Sequence, residues 1–120
     1  ADEARGVFHG RIRVEAEARG TDATQSNKNM LLSKKANIHS TPGLEILTDD
    51  VKCKHGSATG QIDPAQLFYL RSRGIDAREA TRILTRAFAA EILSRIDNDP
   101  ARRLVEAQIA PSLDQLGVAA

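Results

Sequence analysis

Two periodicities divide the chain. Up to about Asp63, apolar and β-branched residues alternate with polar ones in short runs separated by Gly, Asn, Asp and Ser clusters, which is the pattern of half-buried strands. Val7-Phe8-His9-Gly10-Arg11-Ile12-Arg13-Val14 is one run, Asn29-Met30-Leu31-Leu32 a second, Leu44-Glu45-Ile46-Leu47 a third and Val51-Lys52-Cys53-Lys54-His55 a fourth. Each is too short to hide an apolar face alone. Their centres recur at irregular intervals of roughly 10 to 20 residues, which suits either a stacked β-solenoid or an ordinary meander. The pattern leaves both open.

After Asp63 the apolar spacing becomes helical. Asp63-Pro64 predicts a first helix, because Asp can cap it and Pro has a fixed φ suited to the first helical position; Gly74 should end it. Asp76 and Glu79 stand at capping-box spacing and announce a second helix, whose predicted apolar stripe is Ala80, Ile83, Leu84, Ala87, Phe88 and Ile92. Asp99-Pro100 repeats the start signal for a third, with Ala101, Leu104, Val105 and Ile109 on one side and Pro111 expected to close it. The last nine residues read as a loose tail. The expected organisation is a β part over residues 1–63 and a helical part over 64–120, packed as one unit.

Composition narrows the classes of function. The chain has 120 residues, enough for one modest core but hardly two. Its 17 Lys plus Arg nearly balance 16 Asp plus Glu, and the balance holds on both sides of Pro64, so neither half is built to grip nucleic acid by charge alone. No apolar run approaches the roughly 18 residues of a membrane span, and the amino end lacks the basic-then-apolar layout of a signal peptide. A cytoplasmic location is expected, with no membrane partner. Cys53 is the single cysteine, which rules out an internal disulfide.

Cys53 and His55 lie two apart in a strand-like run, where alternate side chains share a face, so thiol and imidazole should point the same way. Together they offer soft and borderline metal ligands, but only two of the roughly four that zinc or a small iron–sulfur cluster needs. The alternative is a buried structural cysteine beside a half-exposed histidine. A thiol nucleophile activated by His55, with Lys52 and Lys54 favouring the thiolate, is a third reading, though on a strand those lysines face the other way. His9 and His39 sit in separate segments and read as lone surface histidines. Asp49-Asp50 reads as a turn rather than a hard-cation site. Arg78, Arg82 and Arg86 form an i, i+4, i+8 row that either recognises an acidic partner surface or is a solvated face offset by Asp76 and Glu79.

The stretch from Pro42 through Leu44-Glu45-Ile46-Leu47-Thr48-Asp49-Asp50-Val51-Lys52-Cys53-Lys54-His55-Gly56 to Asp63 strongly resembles the signature of the SufB/SufD family of the SUF iron–sulfur cluster assembly machinery. Leu67-Phe68-Tyr69-Leu70-Arg71-Ser72-Arg73-Gly74-Ile75, then Ala80 and Ala87-Phe88-Ala89-Ala90-Glu91, resembles the helical region that closes these proteins. The matches run from about Val7 to Ile96, and Lys52 to Gly56 with Leu70 to Gly74 lean toward the SufD-type subunit.

The resemblance implies the C-terminal coils of a right-handed parallel β-helix followed by a small helical subdomain. It implies a scaffold rather than an enzyme, pairing with a SufB-like subunit at a site where a transient iron–sulfur cluster is shared, and docking a SufC-like ATPase through the helices. By position, His55 becomes the expected cluster ligand and Cys53 an interface thiol beside it. Arg71, Arg73, Arg78, Arg82, Arg86 and Phe88 become the expected docking residues. An open solenoid end would favour self-association. The competing view keeps the partner-binding helices but makes Cys53 structural, with no cluster ligand.

Overall fold

A computed structural model describes residues 3–116. They form four strands, β1 (Arg5–Val14), β2 (Thr21–Leu31), β3 (Asn37–Ile46) and β4 (Val51–Gln61), then three helices, α1 (Pro64–Ser72), α2 (Ala77–Leu93) and α3 (Asp99–Leu116). Two compact units divide the chain close to residue 60, one of strands and one of helices.

In the strand unit sequence neighbours do not pair. β1 runs parallel to β3, with Arg5 opposite Asn37 and the register unbroken to Val14 opposite Ile46, while β2 pairs with β4 in a second two-stranded sheet. Backbone bonds lengthen the first ladder at both ends: Asn37 N–H donates to Ala4 O (2.9 Å) and Leu47 N–H to Val14 O (2.9 Å). The turn after β1 is tied to the β3–β4 loop by Gly20 N–H donating to Asp50 O (2.7 Å). Along β1, Phe8, Gly10, Ile12 and Val14 are the more buried positions, and along β3 Ile38, Ser40, Pro42 and Leu44; of these only Val14 is fully enclosed.

Two expectations fail here. The described residues do not build the right-handed parallel β-helix that the resemblance implies: they form two small two-stranded sheets and three helices, with no solenoid. A solenoid is a stack in which each repeat buries the next, and about three repeats are needed before such a stack closes a core. Two strands per sheet give one ladder each and leave both faces largely open. A meander is absent too, since β1 skips β2 to reach β3. The second miss is length. β2 begins at Thr21, not Asn29, β3 at Asn37, not Leu44, and β4 continues to Gln61, because the stretches between the apolar runs are themselves strand. Thr21, Ala23, Gln25 and Asn27 alternate with exposed neighbours as a half-buried strand does.

Inward-facing polar groups explain how that stretch stays ordered. Asn27 Oδ1 accepts from Asn29 Nδ2 (2.7 Å), Ser40 Oγ (2.8 Å) and Ser57 Oγ (3.3 Å), and Ser57 Oγ donates to Ser40 Oγ (2.9 Å). Side chains of β2, β3 and β4 thus meet in one hydrogen-bonded cluster. Nearby, Gln25 lies so close to β1 that a Cβ on Gly10 would stand 2.0 Å from its amide nitrogen and 2.8 Å from the Phe8 ring. Gly10 is therefore required by close approach.

The helical unit follows its capping signals. Asp63 accepts from Ala65 N–H (2.8 Å) and Asp76 from Glu79 N–H (2.9 Å), each satisfying a donor that the first turn leaves free. α1 ends in a Schellman motif, with Gly74 N–H donating to Arg71 O (3.0 Å), Ile75 N–H to Leu70 O (3.2 Å) and Gly74 at φ +87. α3 is capped one residue earlier than expected, by Asn98, whose Oδ1 accepts from Ala101 N–H (2.9 Å). It also runs through Pro111 rather than stopping there. Residues 112–116 are helical, so that part of the expected loose tail is ordered; residues 117–120 lie outside the described residues.

The buried stripe of α2 is rotated from the predicted one. Ala80, Thr81, Thr85 and Leu93 are buried, while Ile83 and Ile92 are exposed. Threonine can occupy that line because Thr81 Oγ1 donates to Ala77 O (2.9 Å) and Thr85 Oγ1 to Thr81 O (2.8 Å), so each hydroxyl is satisfied within the helix and the methyl is left to pack. In α3 the half-buried residues are Arg102, Ile109, Ala110 and Leu113, whereas Ala101, Leu104 and Val105 face out.

Since nothing lies within 4 Å of a Cβ built on Gly74, a Gly74→Ala change should act through the positive φ alone. The expected cost is about 1 kcal/mol, read as a lower urea midpoint of the helical far-UV signal with an unchanged slope. An unchanged midpoint would show that the Schellman turn relaxes freely.

Candidate functional site

β4 carries the candidate ligands. Its first residues alternate regularly, with Val51 and Cys53 half-buried and Lys52 and Lys54 exposed; His55, next in the inward series, is already open to solvent. The strand geometry puts Cys53, His55 and Ser57 on one side. Ser57 is fixed there by its bonds to Ser40 and Asn27, and Thr59, two further on, receives a bond from Asn29 Nδ2 (3.3 Å), which also reaches Ala58 O (3.4 Å). His55 thus follows a half-buried thiol and precedes a hydrogen-bonded polar ladder, and its own ring stays accessible.

The donor set is incomplete. Among the described residues there is no group of three or more His, Cys, Asp or Glu side chains placed to hold a metal ion. A thiolate and an imidazole suit iron and zinc in chemical type, so Cys53 and His55 fit half of a shared site and not a whole one. Lys52 and Lys54 are exposed on the alternate side of the strand.

The arginine row on α2 is differently engaged than its spacing suggests. Arg82 holds Glu79 through two bonds (Nε–Oε2 2.7 Å, Nη2–Oε1 2.5 Å) and reaches Asp114 of α3 (Nη1–Oδ1 3.4 Å). Arg86 bonds the same Asp114 oxygen through Nε (3.1 Å) and Nη2. One carboxylate therefore serves two guanidiniums and ties α2 to the part of α3 beyond Pro111. The bond from Arg86, then the field of both arginines, holds the Asp114 carboxyl below its usual range; the bond from Arg82 does the same for Glu79 and raises the Arg82 guanidinium in turn. Arg78 is exposed, and Phe88 is half-buried. At the C-terminal end of α1, exposed Arg73 lies over the Tyr69 ring, 5.3 Å from its centroid, in the same stretch as Arg71 and an exposed Phe68.

Sequence reading did not single out Gln25, Asn27, Asn29, Ser40, Ser57 and Thr59. Their signal was the alternation of small and polar residues from Thr21 to Asn29, which looks like a loop when only apolar residues are counted.

Residues 1–88 match the family described as "SUF system FeS cluster assembly, SufBD core domain". The chain belongs to the SufB/SufD family. Among its relatives, the iron–sulfur cluster assembly protein SufD of Escherichia coli is 42% identical over 113 residues, covering 94% of this chain and 27% of that protein. SufD of Bacillus subtilis is 37% identical over 95 residues, 79% of this chain and 22% of that protein. A SufBD family protein of Mycobacterium leprae is 46% identical over 95 residues, 78% and 24% respectively. The SufD-type lean of the signature thus agrees with the comparisons. The chain spans about a quarter of the length of the curated relatives it matches. No described helix is long and apolar enough to cross a membrane.

The clasp on this SufD-type chain sets a pH dependence. Asp114 and Glu79 have lowered folded-state pKa values, so their stabilisation is present above the ordinary 3.8 and 4.5 and is lost as the pH falls below them. On lowering the pH from 6 to 2.5, the helical 13Cα shifts of residues 112–116 should decay, and Asp114→Asn should show the decayed shifts already at pH 6. Shifts that hold throughout would mean that the clasp does not order this segment.

Proposed function

We propose that the chain acts as a non-catalytic scaffold in iron–sulfur cluster assembly, offering one ligand face to a nascent cluster completed by a second chain. The observation that carries this reading is the exposed His55 two residues beyond the half-buried Cys53 on β4, inside the stretch that matches the SufBD core. Two donors of suitable type on one side of a strand are what one half of a shared site would present. In this reading iron and sulfide are cargo. His55 ligates the growing cluster through an imidazole nitrogen, and Cys53 stands beside it as an interface thiol. The second chain is a SufB-like subunit, in keeping with the names of the relatives, and the compartment is the cytoplasm.

The helical unit is the proposed docking surface for a SufC-like ATPase. Arg71, Arg73 and Arg78, all exposed, together with the Phe68–Tyr69 pair, have the composition that recurs at binding hot spots, aromatic rings and arginine side by side. Arg82 and Arg86 are committed to Asp114, and Phe88 is half-buried, so these three bear on docking through the fold of the unit as much as through direct contact. The half-buried state of Cys53 favours a second reading, in which the thiol is structural and the chain only binds partners.

His55→Ala separates the two. In a complex assembled with the SufB-like and SufC-like subunits, cluster content measured by iron and sulfide analysis should fall severalfold while subunit stoichiometry by native mass spectrometry is retained. Undiminished cluster content would sink the ligand role. For docking, Arg78→Glu is the cleaner probe, because Arg82→Glu would also break the clasp; it should weaken retention of the ATPase about tenfold, a loss of about 1.4 kcal/mol. Retention equal to that of the parent chain would remove Arg78 from the surface.

A further inference from the structure

The parallel register of β1 and β3 brings together two histidines that lie thirty residues apart in sequence. Val7 stands opposite His39 and His9 opposite Thr41, so these four residues form one cell of the ladder, with the histidines on one diagonal and two β-branched residues on the other. All four are exposed, while their chain neighbours Phe8, Gly10, Ile38, Ser40 and Pro42 are the more buried ones. Both imidazoles therefore leave the sheet on its outer side. Val7 is 72% exposed, and neither it nor Thr41 is tall enough to stand between two rings.

We propose that the outer face of the β1–β3 sheet carries a two-histidine site for a divalent borderline cation such as zinc, His9 and His39 each supplying one imidazole nitrogen. With about 4.8 Å between strands and about 3.3 Å of rise per residue, diagonal neighbours stand about 8 Å apart between Cα atoms, within reach of two ring side chains. Metal–nitrogen bonds of about 2.0–2.1 Å would then place one ion between the two rings. Neutral imidazole is the commonest ligand for such cations, and borderline metals prefer it to the carboxylate and water that suit magnesium or calcium.

The surrounding charges permit this. Of the arginines on the same face, Arg11 stands two residues from His9 and Arg5 stands diagonal to His39, and Glu45 offsets the nearer charge, with Arg11 and Arg13 each 3.7 Å from its carboxylate. A bound ion would join β1 to β3 through side chains as well as main chain, and would keep coordination positions open for water or for a donor from another molecule. The site is on a different sheet from Cys53 and His55 and does not depend on the role given to them.

The test is a titration of zinc chloride into the 120-residue chain, followed through the imidazole nitrogens of His9, His39 and His55 by long-range 1H–15N correlation. His9 and His39 should shift together and saturate at one equivalent. His9→Gln and His39→Gln should each weaken zinc binding at least about tenfold, since each removes the chelate and leaves a lone imidazole. Backbone amide spectra of both variants, altered only at exposed positions, verify that the ladder is retained. Zinc taken up at His55 alone, no shift of either ring, or unchanged affinity at one histidine when the other is replaced would overturn the proposal.

Discussion

The parallel pairing of β1 with β3 is the constraint on which the strand unit rests. Two parallel strands cannot be joined by a tight turn; the chain must leave the first, cross over and return in the same direction. Here the crossing segment is β2, which touches both strands, and its position is dictated by the ladder it serves. From that follow the press of Gln25 on Gly10, the meeting of Asn27 with Ser40, and the seat of β4, which lies against β2 and carries Cys53 and His55. The candidate ligands owe their place to strands that contain neither of them.

The crossing is lined with polar groups, and this shapes its energetics. A buried amide or hydroxyl costs free energy unless it is paired, and a cluster in which one oxygen accepts from three donors answers most of that cost while fixing the strands laterally. Gln25 Oε1 is the exception among the described residues, buried and without a partner. A half-buried polar cluster of this kind gives less stabilisation than an apolar one of equal size but allows little choice of register. In the helical unit the same balance is struck with charge: Glu79, Arg82, Asp114 and Arg86 form a continuous network on the surface, where salt weakens it.

Much of the helical half was legible because caps are local. Asp63-Pro64, Asp76 with Glu79, and Gly74 each work through bonds within a few residues, so their meaning survives without knowledge of the fold. Stripe direction was less legible, since an exposed Ile83 and a buried Thr85 invert hydrophobicity, and only the hydroxyl bond to the preceding turn explains it. The strand half was read through its apolar runs, which located all four strands but missed the polar half of β2, the first part of β3 and the extension of β4. The parallel β-helix implied by resemblance did not follow, for want of enough strands in either ladder. The family was legible in the ordered signature around Cys53 and His55. The diagonal placement of His9 and His39 was invisible, because register is a long-range property that no spacing along the chain encodes.

The described residues enclose few apolar side chains: Val14, Ala80 and Leu93 are the buried ones, and no large residue is fully hidden. A fold so lightly filled exposes little new apolar surface when it opens, so its unfolding should carry a small heat-capacity change and a shallow temperature profile. Mass action then becomes a larger part of its persistence than internal packing. Any molecule that covers Phe68, Leu104 or Val7 raises the ratio of folded to unfolded chain with its own concentration, which makes the abundance of this chain a function of the company it keeps.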